Sequence, residues 1–197
     1  MYIELTDHLR CPAEHDEQFL VLLPGLMEGR DVRTGELGCP VCGRTFRVAD
    51  GVFHAGDAPP PPAPDAPTLL TPEAMAAFLG LSGPGGYVVL VGVPARGWRE
   101  LLEASPGVGP VLVNPPAETA AEYPVSVVRG GRIPLKTRSM RGVVLGPEVA
   151  GDPAWVREAA RVVLPGLRIA GEGPVPEVPG LEVLASAGGC WVAARGR

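Results

Sequence analysis

Between Tyr87 and Val93 the chain reads YVVLVGV, apolar at every position but Gly92. An unbroken apolar run of this kind is the pattern of a strand buried on both faces, as in a parallel sheet. PVLVNPP, YPVSVV, RGVVLGP and GLRIAGEG repeat the pattern, and LEVLASAGG with CWVAARG closes the chain as a hairpin. Helical periodicity falls between these runs. In TPEAMAAFLGL, Met75, Phe78 and Leu79 share one face, Thr71 suits the N-cap and Pro72 the first helical position. WRELLEAS predicts a short helix and PAWVREAARVV a longer one. Strands alternating with helices predict βαβ units and a largely parallel sheet.

Before residue 55 the pattern is different. EQFLVLL and RTFRVAD are strand candidates, and RTGEL offers a hairpin turn at Thr34-Gly35. The stretch AGDAPPPPAPDAP, residues 55–67, has no hydrophobic periodicity and predicts an extended, semi-rigid spacer. The predicted organisation is a small β-rich domain over 1–54, a Pro-rich linker over 55–68 and an α/β domain over 69–197. A first domain this small has little core of its own and is the kind a metal often stabilises.

Composition narrows the function classes. Of 197 residues, 46% are hydrophobic, enough to bury a core, and the net charge is −5. Residues 1–54 carry 9 acidic and 5 basic side chains, and residues 69–197 carry 11 and 12. Neither half has a dense basic stripe, so direct nucleic-acid binding is not favoured. Arg129, Arg132, Arg138, Arg141 and Lys136 cluster in one stretch, which reads as a solvated loop before an anion or RNA contact. The N-terminus shows no signal pattern, and the longest apolar run, FLVLLPGLM, is too short to span a bilayer. These features predict a cytoplasmic protein with no membrane contact. The absence of a Gly-x-Ser-x-Gly elbow, and of any histidine after residue 54, leaves hydrolase chemistry without an anchor.

Cysteine usage points to a metal. Four cysteines in a reducing compartment suggest metal ligands or buried thiols rather than disulfides. Cys39-Pro-Val-Cys42-Gly43 brings two thiolates to one turn, and Gly43 lets the backbone fold back so that amides face the sulfurs. The other half lies in LRCPAEHDEQFL: Cys11, also followed by proline, with His15 four positions on. Cys11, His15, Cys39 and Cys42 would make a Cys3His zinc site, with His8, Glu14 and Asp16 as rival fourth ligands. Four protein ligands leave no position for water, so such a zinc is structural. Cys190, beside Trp191 in the last strand, reads as a buried small residue.

LRCPAEH followed by GELGCPVCGRTFRVADGVFHA resembles a Trm112-like zinc-ribbon domain over about residues 1–56. The resemblance implies a small β-rich zinc domain that binds and stabilises methyltransferases without itself catalysing. The first half-site departs from the family pattern in lacking its more usual second cysteine, which leaves the fourth ligand open.

Residues 70–195 resemble a class I, S-adenosylmethionine-dependent methyltransferase, best over WVREAARVVLPGLRIA. The resemblance implies a Rossmann-like sheet with flanking helices and a C-terminal β-hairpin, and cofactor chemistry at the turn VVLVGVPARGW. There Gly92 takes the first glycine place. Pro94 and Arg96 stand where further glycines are expected, or Gly97 fills one after a shift. Leu90 stands in a commonly acidic place, and the second strand ends in Asn114 rather than an acid. Asn can bond one ribose hydroxyl but cannot match a carboxylate accepting two. After the fourth strand, Glu148 is the one polar group on offer. The expectation is a non-catalytic interaction protein: a zinc ribbon docked, in cis or on a partner protein, against a degenerate methyltransferase-like domain. FLVLLPGLM and GVFHA are its candidate docking segments. The alternative is an active S-adenosylmethionine-dependent methyltransferase with a built-in activator, binding cofactor at Gly92, Gly97 and Asn114.

Overall fold

The computed structural model describes residues 1–175 and 177–196. The first segment holds β1 (Val21–Pro24), β2 (Met27–Glu28), β3 (Asp31–Val32), β4 (Gly35–Gly38), β5 (Thr45–Ala49) and β6 (Val52–His54). After the Pro-rich stretch come α1 (Pro72–Leu79), β7 (Tyr87–Val91), α2 (Trp98–Ala104), β8 (Gly109–Val113), β9 (Ser126–Arg129) and β10 (Met140–Leu145). Then follow α3 (Pro153–Val162), β11 (Val163–Glu172), β12 (Leu181–Ala187) and β13 (Cys190–Arg195).

Local signals account for the helices. Thr71 caps α1 by accepting from the Ala74 amide at 3.3 Å, Pro72 opens it, and Gly80 ends it in the left-handed conformation. Asp152 caps α3 by accepting from the Ala154 amide at 2.8 Å. The first segment differs from expectation at Thr34-Gly35. The tight turn falls instead at Gly29-Arg30, joining β2 to β3, and β4 pairs antiparallel with β1. Gly29 supplies the positive φ of that turn, and a two-residue hairpin needs such a residue.

Eleven strands form one sheet in the order β1-β4-β5-β6-β9-β8-β7-β10-β11-β13-β12. The strands β9-β8-β7-β10-β11 are all parallel, with the order reversing beside β7. That is the doubly wound, Rossmann-like arrangement. The closing hairpin folds back, so that β13 lies antiparallel between β11 and β12. On the other side β6 pairs parallel with β9, through Val52–Val127, Phe53–Val128 and His54–Arg129, so the first segment extends the same sheet.

Alternation along the parallel strands divides the core. Val88, Leu90, Leu112, Val144 and Ala170 pack under α1 and α2 with Met75, Leu79, Trp98 and Leu101. Val89, Val113, Val143 and Ile169 face the opposite side, with Val156 and Ala159 of α3. Met1, Leu5 and Leu9, on and beside a 3-10 turn over Ile3–His8, belong to this second cluster, as do Leu37 and Phe53. The first segment therefore covers part of one face of the α/β sheet as well as extending its edge. Among the described residues no helix is long and apolar enough to cross a membrane.

Candidate metal centre and the crevice at the sheet's carboxyl end

Cys11 follows the 3-10 turn, and its amide donates to Gln18 O at 2.9 Å, which brings His15 round in a short loop. Cys39 and Cys42 sit on the turn between β4 and β5, closed by the Gly43 amide to Cys39 O at 3.0 Å. Gly43 has φ +70, as the fold-back demands. The ligand atoms of Cys11, His15, Cys39 and Cys42 all lie within 4.8 Å of one another.

The spacing fits zinc. Zn–S bonds of ~2.3 Å and Zn–N bonds of ~2.0–2.1 Å in a tetrahedron give S···S edges of about 3.8 Å and S···N edges of about 3.5 Å. Cys11 Sγ lies 3.7 Å from Cys42 Sγ, and Cys39 Sγ lies 3.5 Å from His15 Nε2. His15 Nδ1 donates to Asp16 O at 2.6 Å, which leaves the Nε2 lone pair facing the sulfurs. Burial works against ionising Cys39, but the Cys42 and Val41 amides and neighbouring thiols donate to its sulfur and lower its pKa to about 6. Burial pushes the Cys11 thiol up to about 11. A bound cation replaces such thiol protons.

The rival ligands lie apart from this set. The His8 ring meets Tyr87 edge-on at 4.9 Å. Asp16 contributes its carbonyl to His15. Glu14 lines a depression of about 480 Å³ beside the cluster, with His15, Cys42, Arg44 and Arg132.

The second candidate site is the switch point between β7 and β10, where open α/β sheets bind ligands beyond the carboxyl ends of their strands. Gly92 follows β7 with φ +72, a conformation that favours glycine. Directly against it lies the Glu148 carboxylate: a Cβ added to Gly92 would stand 1.2 Å from Glu148 Oε1. Oε1 accepts the Val93 amide at 2.9 Å, so the backbone donor that a ligand would meet is taken. Burial holds the Glu148 carboxyl above its ordinary range against the amides of Glu148 and Val93, with Glu172 adding to the rise.

The other expected cofactor residues face protein. Gly97 packs on α1, where a Cβ would stand 2.9 Å from Pro72 Cγ and 3.2 Å from Met75 Cε. Buried Asn114, at φ +48 beyond β8, donates from Nδ2 to Gly130 O at 2.7 Å. Its Oδ1 accepts the Gly130 amide at 3.0 Å. Both ends of the amide are thus taken by one backbone unit rather than held out for a ribose. A cavity of about 520 Å³ lies at the opposite end of the sheet, lined by Tyr2, Tyr87, Leu102, Gly107 and Tyr123.

The roles of two functional groups escaped the sequence reading. Glu172, 5% exposed at the end of β11, accepts from the Thr68 hydroxyl and, at 3.0 Å, from the Leu69 amide. Arg96, which stands where the resemblance expects a glycine, donates to Pro64 O and Ala66 O. A carboxylate ending the apolar run LRIAGE was the one available signal, since a buried charge needs partners.

No protein-family profile matches the chain, and no curated protein does. Among solved structures, the chain is similar to the pyocyanin biosynthetic protein PhzM at 14% identity, covering 64% of this chain and 54% of that one, TM-score 0.48. It is similar to the antibiotic-resistance methyltransferase Kmr at 14% identity, covering 68% and 97%, TM-score 0.46. A third similar structure is a chain of the complex between the Haloferax volcanii Trm112 methyltransferase activator and the putative methyltransferase, at 19% identity, 51% and 50% coverage and TM-score 0.43. The chain spans about half the length of the first and third of these.

Proposed function

We propose that this chain is a zinc-binding, non-catalytic interaction protein. In this reading a Trm112-like module docks in cis on a degenerate methyltransferase-like sheet. The Cys3His spacing supports the zinc. The parallel pairing of β6 with β9 supports docking in cis through a strand edge. Five parallel strands followed by an antiparallel pair form the sheet that the methyltransferase resemblance implies. Three thiols in ligand positions suit a cytoplasmic, reducing compartment.

The observation that carries the non-catalytic reading is the Glu148 carboxylate seated on Gly92. It puts a negative group and a filled donor where a cofactor's backbone contacts would form. Calorimetry of the full chain with S-adenosylmethionine and S-adenosylhomocysteine tests it. The expected result is no saturable heat up to millimolar ligand; micromolar binding would return the protein to the enzymes. One feature favours that second reading, since Gly92 keeps a backbone conformation suited to close approach by a ligand. Elemental analysis should find one zinc per chain, and a protein purified without stoichiometric metal would remove the zinc from the proposal.

A further inference from the structure

The Pro-rich stretch between the two halves follows the carboxyl end of the sheet from strand to strand. It starts at β6, where the Ala55 amide donates to Arg129 O at 2.7 Å. Asp57 O lies 3.1 Å from where a Cβ on Gly131 would stand, just past β9. Pro64 O and Ala66 O accept from Arg96, in the turn after β7. Thr68 and Leu69 donate to Glu172 at the end of β11. Leu69 Cδ1 lies 2.9 Å from where a Cβ on Gly189 would stand, in the turn between β12 and β13. The order of these anchors along the chain is the order of the strands across the sheet.

The lengths agree. From β9 to β11 is four strand intervals, about 19 Å at ~4.8 Å each. Residues 57–68 reach about 34 Å in the polyproline conformation, enough for the crossing and for a turn closed by the Ala66 amide on Ala63 O at 3.1 Å. Between the Arg96 and Glu172 anchors lies the end of β10, where Glu148 fills the floor of the crevice.

We infer that residues 57–69 are an intramolecular strap, fastened by Arg96 and Glu172, that closes the switch-point crevice against a nucleoside-sized ligand. The inference rests on the reading of that crevice as the former cofactor site. Proline suits the role because it offers carbonyl acceptors with no amide left to satisfy. A charged guanidinium to carbonyl and an amide to a buried carboxylate are charge-assisted bonds, stronger than neutral ones. Strap and ligand therefore exclude one another, and any ligand of the crevice has to displace the strap.

Hydrogen exchange on the full chain reads the fastening, comparing wild type with the Arg96→Ala, Thr68→Val double variant. In wild type the Leu69 and Leu70 amides should exchange at least ~100-fold slower than in unstructured chain. The double variant should lose at least ~10-fold of that protection while Val88–Val91 of β7 stay protected. Should β7 also open, the single Arg96→Ala variant, which leaves the Thr68 and Leu69 bonds to Glu172 in place, decides. Leu69 and Leu70 exchanging freely in wild type, or unchanged in the variants, would overturn the strap. A second arm adds S-adenosylhomocysteine. Saturable binding with Leu69 protection undiminished also overturns it. Binding gained only on strap release supports the strap while it defeats the non-catalytic reading, so the two ideas fail separately.

Discussion

Glu148 has to carry its charge in a place built to discourage it. Burial raises its pKa above that of an unfolded glutamate, against the amides of Glu148 and Val93, and Glu172 adds to the rise. The folded state then binds the proton more tightly than the unfolded chain. From the unfolded value, about 4.3, up to the raised folded value, stability falls as pH rises. Glu148→Gln keeps an acceptor for the Val93 amide without the charge. Its melting temperature should gain on wild type as pH increases from about 4 to about 7, and parallel lines in that comparison would contradict the assignment. Asn114 makes the opposite kind of contribution. Asn114→Ala strands the amide and carbonyl of Gly130 and should cost about 2 kcal/mol or more in urea denaturation.

Among the elements, those with long patterns were legible. α1, α3 and β7 announce themselves through a cap, a 3.6-residue period and an unbroken apolar run, each a local property. The Cys11, His15, Cys39 and Cys42 grouping was legible for the same reason, since thiol chemistry and the Cys-Pro turns are written in the residues. β6 was legible as a docking segment, within GVFHA, but not by its own pattern as a strand. Three residues make a strand here because β5 and β9 flank them, and no local pattern encodes a partner some seventy residues away. The strap was invisible for a different reason. Its bonds run largely from its backbone, and carbonyls leave no mark on the sequence. β6 is nonetheless a structural pin: Phe53 is fully buried, and Phe53→Ala should cost about 3–5 kcal/mol by chemical denaturation. If the proposed zinc is bound, a strong chelator should act on the elements around Cys11, His15, Cys39 and Cys42. The β4 and β5 amides should exchange ~10-fold faster or more while those of β7 hold, because metal binding energy is folding energy for the segment that supplies the ligands.

The whole molecule is organised around one sheet that two differently patterned stretches of chain build together. The reading of residues 55–67 as a spacer caught their extended, Pro-rich character but not their position, because composition sets stiffness and not location. The join at β6 and β9 also sets an order of events while the chain is being made. All the candidate zinc ligands have emerged by Cys42, so metal capture can proceed early. The open edge of β6 has to wait for β9, some seventy-five residues later, or about 4–15 s at ribosomal speeds of ~5–20 residues/s. During that interval the nascent chain presents a β-fragment with an unpaired edge, the kind of species that chaperones shield and that misassembles when crowded. The chain's most hazardous interval then falls between the making of β6 and the making of β9.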